Sequence, residues 1–105
     1  MGYRAKRIDA NQNEIVKALR DNGASVLILS MVGKGCPDIL MGYGGRNYLI
    51  EIKNGTLPLS AQKLTPLESQ FVKDWKGQTC VIRSVEDALS FLNNYAKRIY
   101  QNGNF

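Results

Sequence analysis

Apolar positions recur along the chain with two different periods, and the switches between them divide it into elements. In "DANQNEIVKALRDNG", Ile15 and Leu19 share one face and Gly23 follows. That spacing predicts a helix opened by an Asn-x-x-Glu capping box from Asn11 to Glu14. "ASVLILSM" is a short apolar run with β-branched residues and predicts a buried strand. "VGKGCP" predicts a loop. "DILMGY" and "RNYLIEIK" predict two further strands around Gly44-Gly45, a strong hairpin signal. "NGTLPLSAQK" predicts a polar loop. A second helix opens with Thr65 as N-cap, Pro66 at its first position and Glu68 closing a capping box. Leu67, Phe71 and Trp75 then line one face, and Gly77 stops the helix. "QTCVIRS" predicts a fourth strand. Ser84 caps a last helix whose stripe is Val85, Leu89, Leu92, Tyr95 and Ile99, and "QNGNF" should fray.

The predicted order is α-β-β-β-α-β-α, an α/β chain for which a central mixed sheet flanked by helices is the natural solution. With 105 residues the expectation is one domain, 1–105, with a basic N-terminal arm over about 1–8 and a frayed tail over about 101–105. No apolar run reaches membrane-spanning length, and "MGYRAKR" lacks the apolar stretch of a signal peptide, so the expected setting is cytoplasmic. The two cysteines, Cys36 and Cys80, form no CxxC pair and are expected as free thiols. A net charge of +5 favours a polyanionic partner, nucleic acid before an anionic membrane surface. The chain has no histidine. That excludes Ser-His-Asp and Cys-His catalysis, HExxH chemistry and histidine-based zinc sites. Hydrolysis here would have to run on carboxylates, lysine and a hard metal ion.

The hairpin gives those groups a geometry. With Gly44-Gly45 as the turn, Tyr43 faces Arg46, Met41 faces Tyr48, Leu40 faces Leu49 and Asp38 faces Glu51. Directly opposed residues hold their Cβ atoms about 4.5–5.5 Å apart, where two carboxylates repel. A divalent cation between them reverses the sign, and hard oxygen ligands suit magnesium or manganese. Lys53 emerges on the same face as Glu51, two residues on. Each of these has a bland reading alone: Asp38 as a turn residue after Pro37, Glu51 and Lys53 as a solvated pair. Together they sit on a strand whose alternate positions, Ile50 and Ile52, are also apolar, and unpaired charge there is expensive.

"CPD" on one strand and "EIK" on the next resemble the PD-(D/E)xK nuclease pattern. The stretches "NEIVKALRDNG", "GKGCPDIL", "YLIEIKNG", "LTPLESQFVKDWKGQ" and "VIRSVEDAL" resemble, more narrowly, the VRR-NUC family in its stand-alone, phage-type form. The resemblance implies the PD-(D/E)xK, restriction-endonuclease-like core and a metal-dependent DNA endonuclease that leaves 5′-phosphate ends. It implies Mg2+ or Mn2+ held by Asp38, Glu51 and the backbone carbonyl of Ile52, with Lys53 as the catalytic lysine. It gives Glu14 the first-helix role, reaching the metal directly or through water, beside its other reading as a capping residue. Family members often carry a glutamine early in the second helix; here Glu68 stands three after Thr65 and Gln70 a little later, and either is a candidate. For gripping phosphates the candidates are Lys34, Lys63 and Arg46, with Arg4, Lys6 and Arg7 on the arm.

A small domain with no helix suited to the major groove points to DNA shape rather than sequence. By analogy with the family, the expected substrate is a Holliday junction or other branched DNA, cut by a two-fold homodimer. No organic cofactor and no membrane partner are expected. The alternative is a catalytically idle DNA-binding module that keeps the nuclease fold.

Overall fold

A computed structural model describes residues 8–102, with side chains through Asn94. Arg4, Lys6 and Arg7 of the basic arm, the side chains of Tyr95 and Ile99, and residues 103–105 of the tail lie outside the described residues. The elements are α1 (Gln12–Asp21), β1 (Ser25–Ile28), β2 (Ile39–Tyr43), β3 (Arg46–Ile52), a 3₁₀ turn at Leu59–Gln62, α2 (Pro66–Asp74), β4 (Thr79–Ile82) and α3 (Val85–Asn102). The predicted order holds. The 3₁₀ turn is an addition inside the segment expected as loop.

The four strands form one mixed sheet in the order β1-β2-β3-β4. β1 and β3 each run antiparallel to β2, and β4 runs parallel to β3. The β2–β3 register is the one predicted, with Tyr43 opposite Arg46 and Leu40 opposite Leu49. Gly44 and Gly45 take φ values of 60° and 80°. Two successive positive φ angles make the turn whose twist matches the strands, and glycine adopts them without steric cost.

Alternation then sorts side chains to two faces. Val26, Ile39, Met41, Tyr48, Ile50, Ile52 and Ile82 point to one face and pack with Ile15, Val16 and Leu19 of α1 and Ala88 and Leu92 of α3. Tyr48 meets Phe91 edge-on, ring centroids 5.0 Å apart. Each aliphatic side chain fully buried there contributes roughly 1.5–3 kcal/mol. The second face carries Asp38, Glu51 and Lys53, and α2 lies on it, as the contact between Lys53 and Glu68 shows.

Two expectations are corrected. β1 is shorter than the run "ASVLILSM" and is not a buried strand. Only Val26 of its four residues is buried, while Leu27 and Ile28 are exposed. β1 lies at the sheet's edge, where one side has no strand neighbour. The second correction is the start of α1. Asn11 is the N-cap residue, yet its side chain accepts no capping bond. Its Nδ2 donates instead to the carbonyls of Lys53 (3.2 Å) and Arg83 (3.1 Å). The box predicted for α2 is complete: Thr65 Oγ1 accepts from Glu68 N, and Glu68 Oε1 accepts from Thr65 N. Cys36 and Cys80 form no disulfide. Burial, with Asp87 nearby, pushes the Cys80 thiol up to about 11, so it stays protonated at neutral pH.

Candidate functional site

Backbone parity places the acids. Leu49 N donates to Gln78 O and Lys53 N to Ile82 O, so the odd residues of β3 turn their backbone toward β4. The even ones turn toward β2. Continuing the β2–β3 register past Ile39–Ile50 sets Asp38 against Glu51 and Pro37 against Ile52. Asp38 and Glu51 thus fall at a position where the strands exchange no hydrogen bonds, the kind whose Cα atoms approach to about 4.5 Å. Pro37 has no N–H with which to continue the ladder. Ile52 N donates to Asp38 Oδ2 at 2.6 Å, so the Asp38 carboxylate is anchored on the backbone of β3.

Asp38 and Glu51 are each only 2% exposed. Lys53 is buried beside them, its Nζ 2.8 Å from Glu68 Oε1 and 3.7 Å from Glu51 Oε2. Glu68 therefore has two duties: it closes the α2 capping box and holds the lysine. α2 comes this close because of the loop before Asp38. Gly33, Lys34 and Gly35 all have positive φ, 73°, 56° and 79°. A Cβ at Gly35 would collide with the Leu67 carbonyl and lie 3.0 Å from Glu68 N. Only glycine lets the loop lie against the first turn of α2.

The remaining predicted residues are distributed unevenly. Lys34 is exposed on that loop and Lys63 is exposed two residues before Thr65. Gln70 bonds Asp74, at 2.8 Å, and is exposed. Arg46 is not near the acids. It sits at the hairpin tip, five residues of β2 from Asp38, about 17 Å at the rise of an extended strand. Glu14 is not buried with the acids. It is exposed and lines a groove of about 920 Å³ with Asn54, Gly55, Arg83 and Glu86. Among the described residues, no three of Asp, Glu and Cys gather as a metal-binding group.

A residue that sequence reasoning missed points to the strand ends from α1. Gln12 is 2% exposed, and its Nε2 lies 3.4 Å from Ser30 Oγ. Ser30 follows Leu29, whose N–H donates to the Asp38 carbonyl. Gln12 Oε1 is buried with no hydrogen-bond partner. A signal existed: Gln12, Ile15, Val16 and Leu19 fall at helical spacing on the buried face, so a glutamine stands where an apolar residue belongs.

The site defines a class: an α-β-β-β-α-β core with two buried carboxylates and a buried lysine at the end of its central hairpin. A solved structure described as a VRR_NUC domain has this fold. It matches with a TM-score of 0.58 over 83% of this chain and 99% of its own, at 20% identity. The chain has the fold of a VRR_NUC domain, as the motifs predicted. No family model matches the sequence, and no curated protein matches it.

Proposed function

We propose that the protein is a metal-dependent DNA endonuclease of the VRR-NUC kind. One observation carries the reading: Asp38, bound to the Ile52 N–H, and the neighbouring Glu51 and Lys53 are buried together on β2 and β3 of a fold shared with a VRR_NUC domain. The donor set fits a hard divalent cation, Mg2+ or Mn2+, which takes carboxylate, carbonyl and amide oxygens. Two buried acceptors at the start of α1, Asn11 Oδ1 and Gln12 Oε1, have no protein partner, and each costs roughly 1–3 kcal/mol unless water or an ion satisfies it. Asp38, Glu51 and the Ile52 carbonyl would hold the ion, with Gln12 Oε1 completing the set in the place expected of Glu14. When bound, such an ion lowers the pKa of its water and polarises a phosphate oxygen.

Lys53 is a cation positioned to stabilise charge on the scissile phosphate. Glu68 fixes its direction. The buried strand ends limit water to what the site itself orders. Lys34 and Lys63 are placed to grip phosphates flanking the cut. Hydrolysis leaves 5′-phosphate ends. The small domain selects branched DNA, and a two-fold dimer would make paired cuts in a four-way junction.

The test is cleavage of labelled four-way junction, bubble and linear duplex with Mg2+, Mn2+ or chelator. Metal-dependent cutting is expected, and Lys53→Ala should lose it by about 10²–10³-fold, the scale for removing one transition-state donor. Gln12→Leu should weaken the rise in melting temperature caused by Mn2+ in the absence of DNA. If no DNA is cut with any metal, the nuclease reading fails. DNA binding indifferent to metal would leave a binding module with a nuclease fold.

A further inference from the structure

One feature beside the site is absorbed by none of this chemistry. The outer face of α2 carries a stacked aromatic pair, Phe71 and Trp75, with ring centroids 5.3 Å apart and planes 14° from parallel. Trp75 is 48% exposed and Leu67 64% exposed. An open cavity of about 280 Å³ is lined by Leu67, Phe71 and Trp75 together with Lys34, Gln70 and Asp74. Exposed aromatic and aliphatic surface on a short helix is costly to keep solvated, and it does not serve the core, which lies across the sheet.

The indole is held in place on two sides. Phe71 stacks on it, and a Cβ at Gly77 would lie 2.8 Å from its Nε1. Glycine therefore lets the chain after α2 fold closely against the ring. The cavity also adjoins the site through both of its walls. Lys34 precedes Gly35, which lies on the Leu67 carbonyl, and Leu67 precedes Glu68, which holds Lys53.

We propose that this cavity receives an unpaired nucleobase of the strand being cut, stacked on Trp75. The proposal rests on the nuclease reading and specifies its substrate: DNA with unstacked bases near the scissile phosphate. The lining chemistry chooses the base over the phosphate. Asp74 repels an anion but accepts a hydrogen bond from an exocyclic amine. Gln70, whose Nε2 donates to Asp74 Oδ2, presents its Oε1 to a base edge. Lys34, on the rim toward Asp38, takes the adjoining phosphate. A base presents its flat face only when it has left the helical stack, and stacking on an aromatic side chain contributes about 1–3 kcal/mol per base.

The chain has one tryptophan, so Trp75 reports its own occupancy. The wild-type protein is titrated, in chelator, with a closed linear duplex and with the same duplex carrying a mismatched bubble. Binding is followed by anisotropy of a dye on the DNA, and Trp75 by its intrinsic fluorescence. The bubble should quench Trp75 and the duplex should not. Trp75→Ala should cut the preference for bubble over duplex by roughly tenfold, and Trp75→Phe should restore most of it. Circular dichroism confirms that each variant folds. Bubble DNA that binds without quenching, a preference indifferent to Trp75→Ala, or no binding of either DNA overturns the proposal. The same DNAs with Mn2+ separate the two readings. Cutting without quenching removes only the base pocket, and quenching without cutting removes only the nuclease.

Discussion

The two helices that reach the site begin with nearly the same sequence signature and use it differently. α1 opens with Asn-x-x-Glu and α2 with Thr-x-x-Glu. At α2 the box closes, and its glutamate reaches past its own backbone to Lys53. At α1 the cap residue turns away from its helix. Asn11 faces two carbonyls, those of Lys53 and Arg83, where β3 and β4 end side by side. An amide nitrogen can satisfy both, and no threonine hydroxyl could. The capping pattern states what a side chain can do locally; the tertiary neighbours decide whether it does so.

The contrast can be pressed hardest at Glu68. Glu68→Ala removes the side-chain half of the capping box and leaves Lys53 buried with the longer contact to Glu51, so unfolding in urea should show a loss of about 3 kcal/mol. Glu68→Gln keeps an acceptor for Thr65 N and should recover part of it. If both variants lose the same small amount, the lysine does not depend on this glutamate.

Asn11→Asp separates the two ends more sharply. At an ordinary N-cap the exchange is close to neutral, since both residues cap well. Here an acceptor would replace a donor between two carbonyls, and urea unfolding should report a loss of about 2 kcal/mol. A neutral result would return Asn11 to an ordinary capping role. The smallest effect is expected at Glu14: Glu14→Ala should change stability by less than about 0.5 kcal/mol, as at an exposed surface position. The Mn2+-induced shift in melting temperature should likewise stay as in the wild type. A weakened shift would bring Glu14 back to the metal.

Much of this was legible beforehand because it depends on local periods. Element order followed from the spacing of Ile15, Leu19 and the β-branched runs. The hairpin register followed from Gly44-Gly45, and with it the approach of Asp38 to Glu51 and Lys53. What was not legible depends on where elements meet. β1 reads as apolar throughout, yet its place at the sheet edge leaves Leu27 and Ile28 in water. Arg46 looked close to the acids in sequence, but a hairpin sends its tip away from its open end. Glu14 carries the charge that the metal role calls for, yet Gln12 has the buried position. Only the packed helix tells the two apart, although a glutamine in an apolar stripe was visible in the text.

The Gly44-Gly45 reversal also bears on how the chain assembles. Asp38 and Glu51 are separated by no more than one hairpin, so bringing them together costs little loop-closure entropy. Isolated hairpins form in roughly 1–10 μs. The like-charged pair is therefore made early, before β4 can dock on β3 from the far side of α2. During that interval the two carboxylates oppose the turn that joins them, and on the proposed function a divalent ion held between them would relieve that opposition while the chain folds.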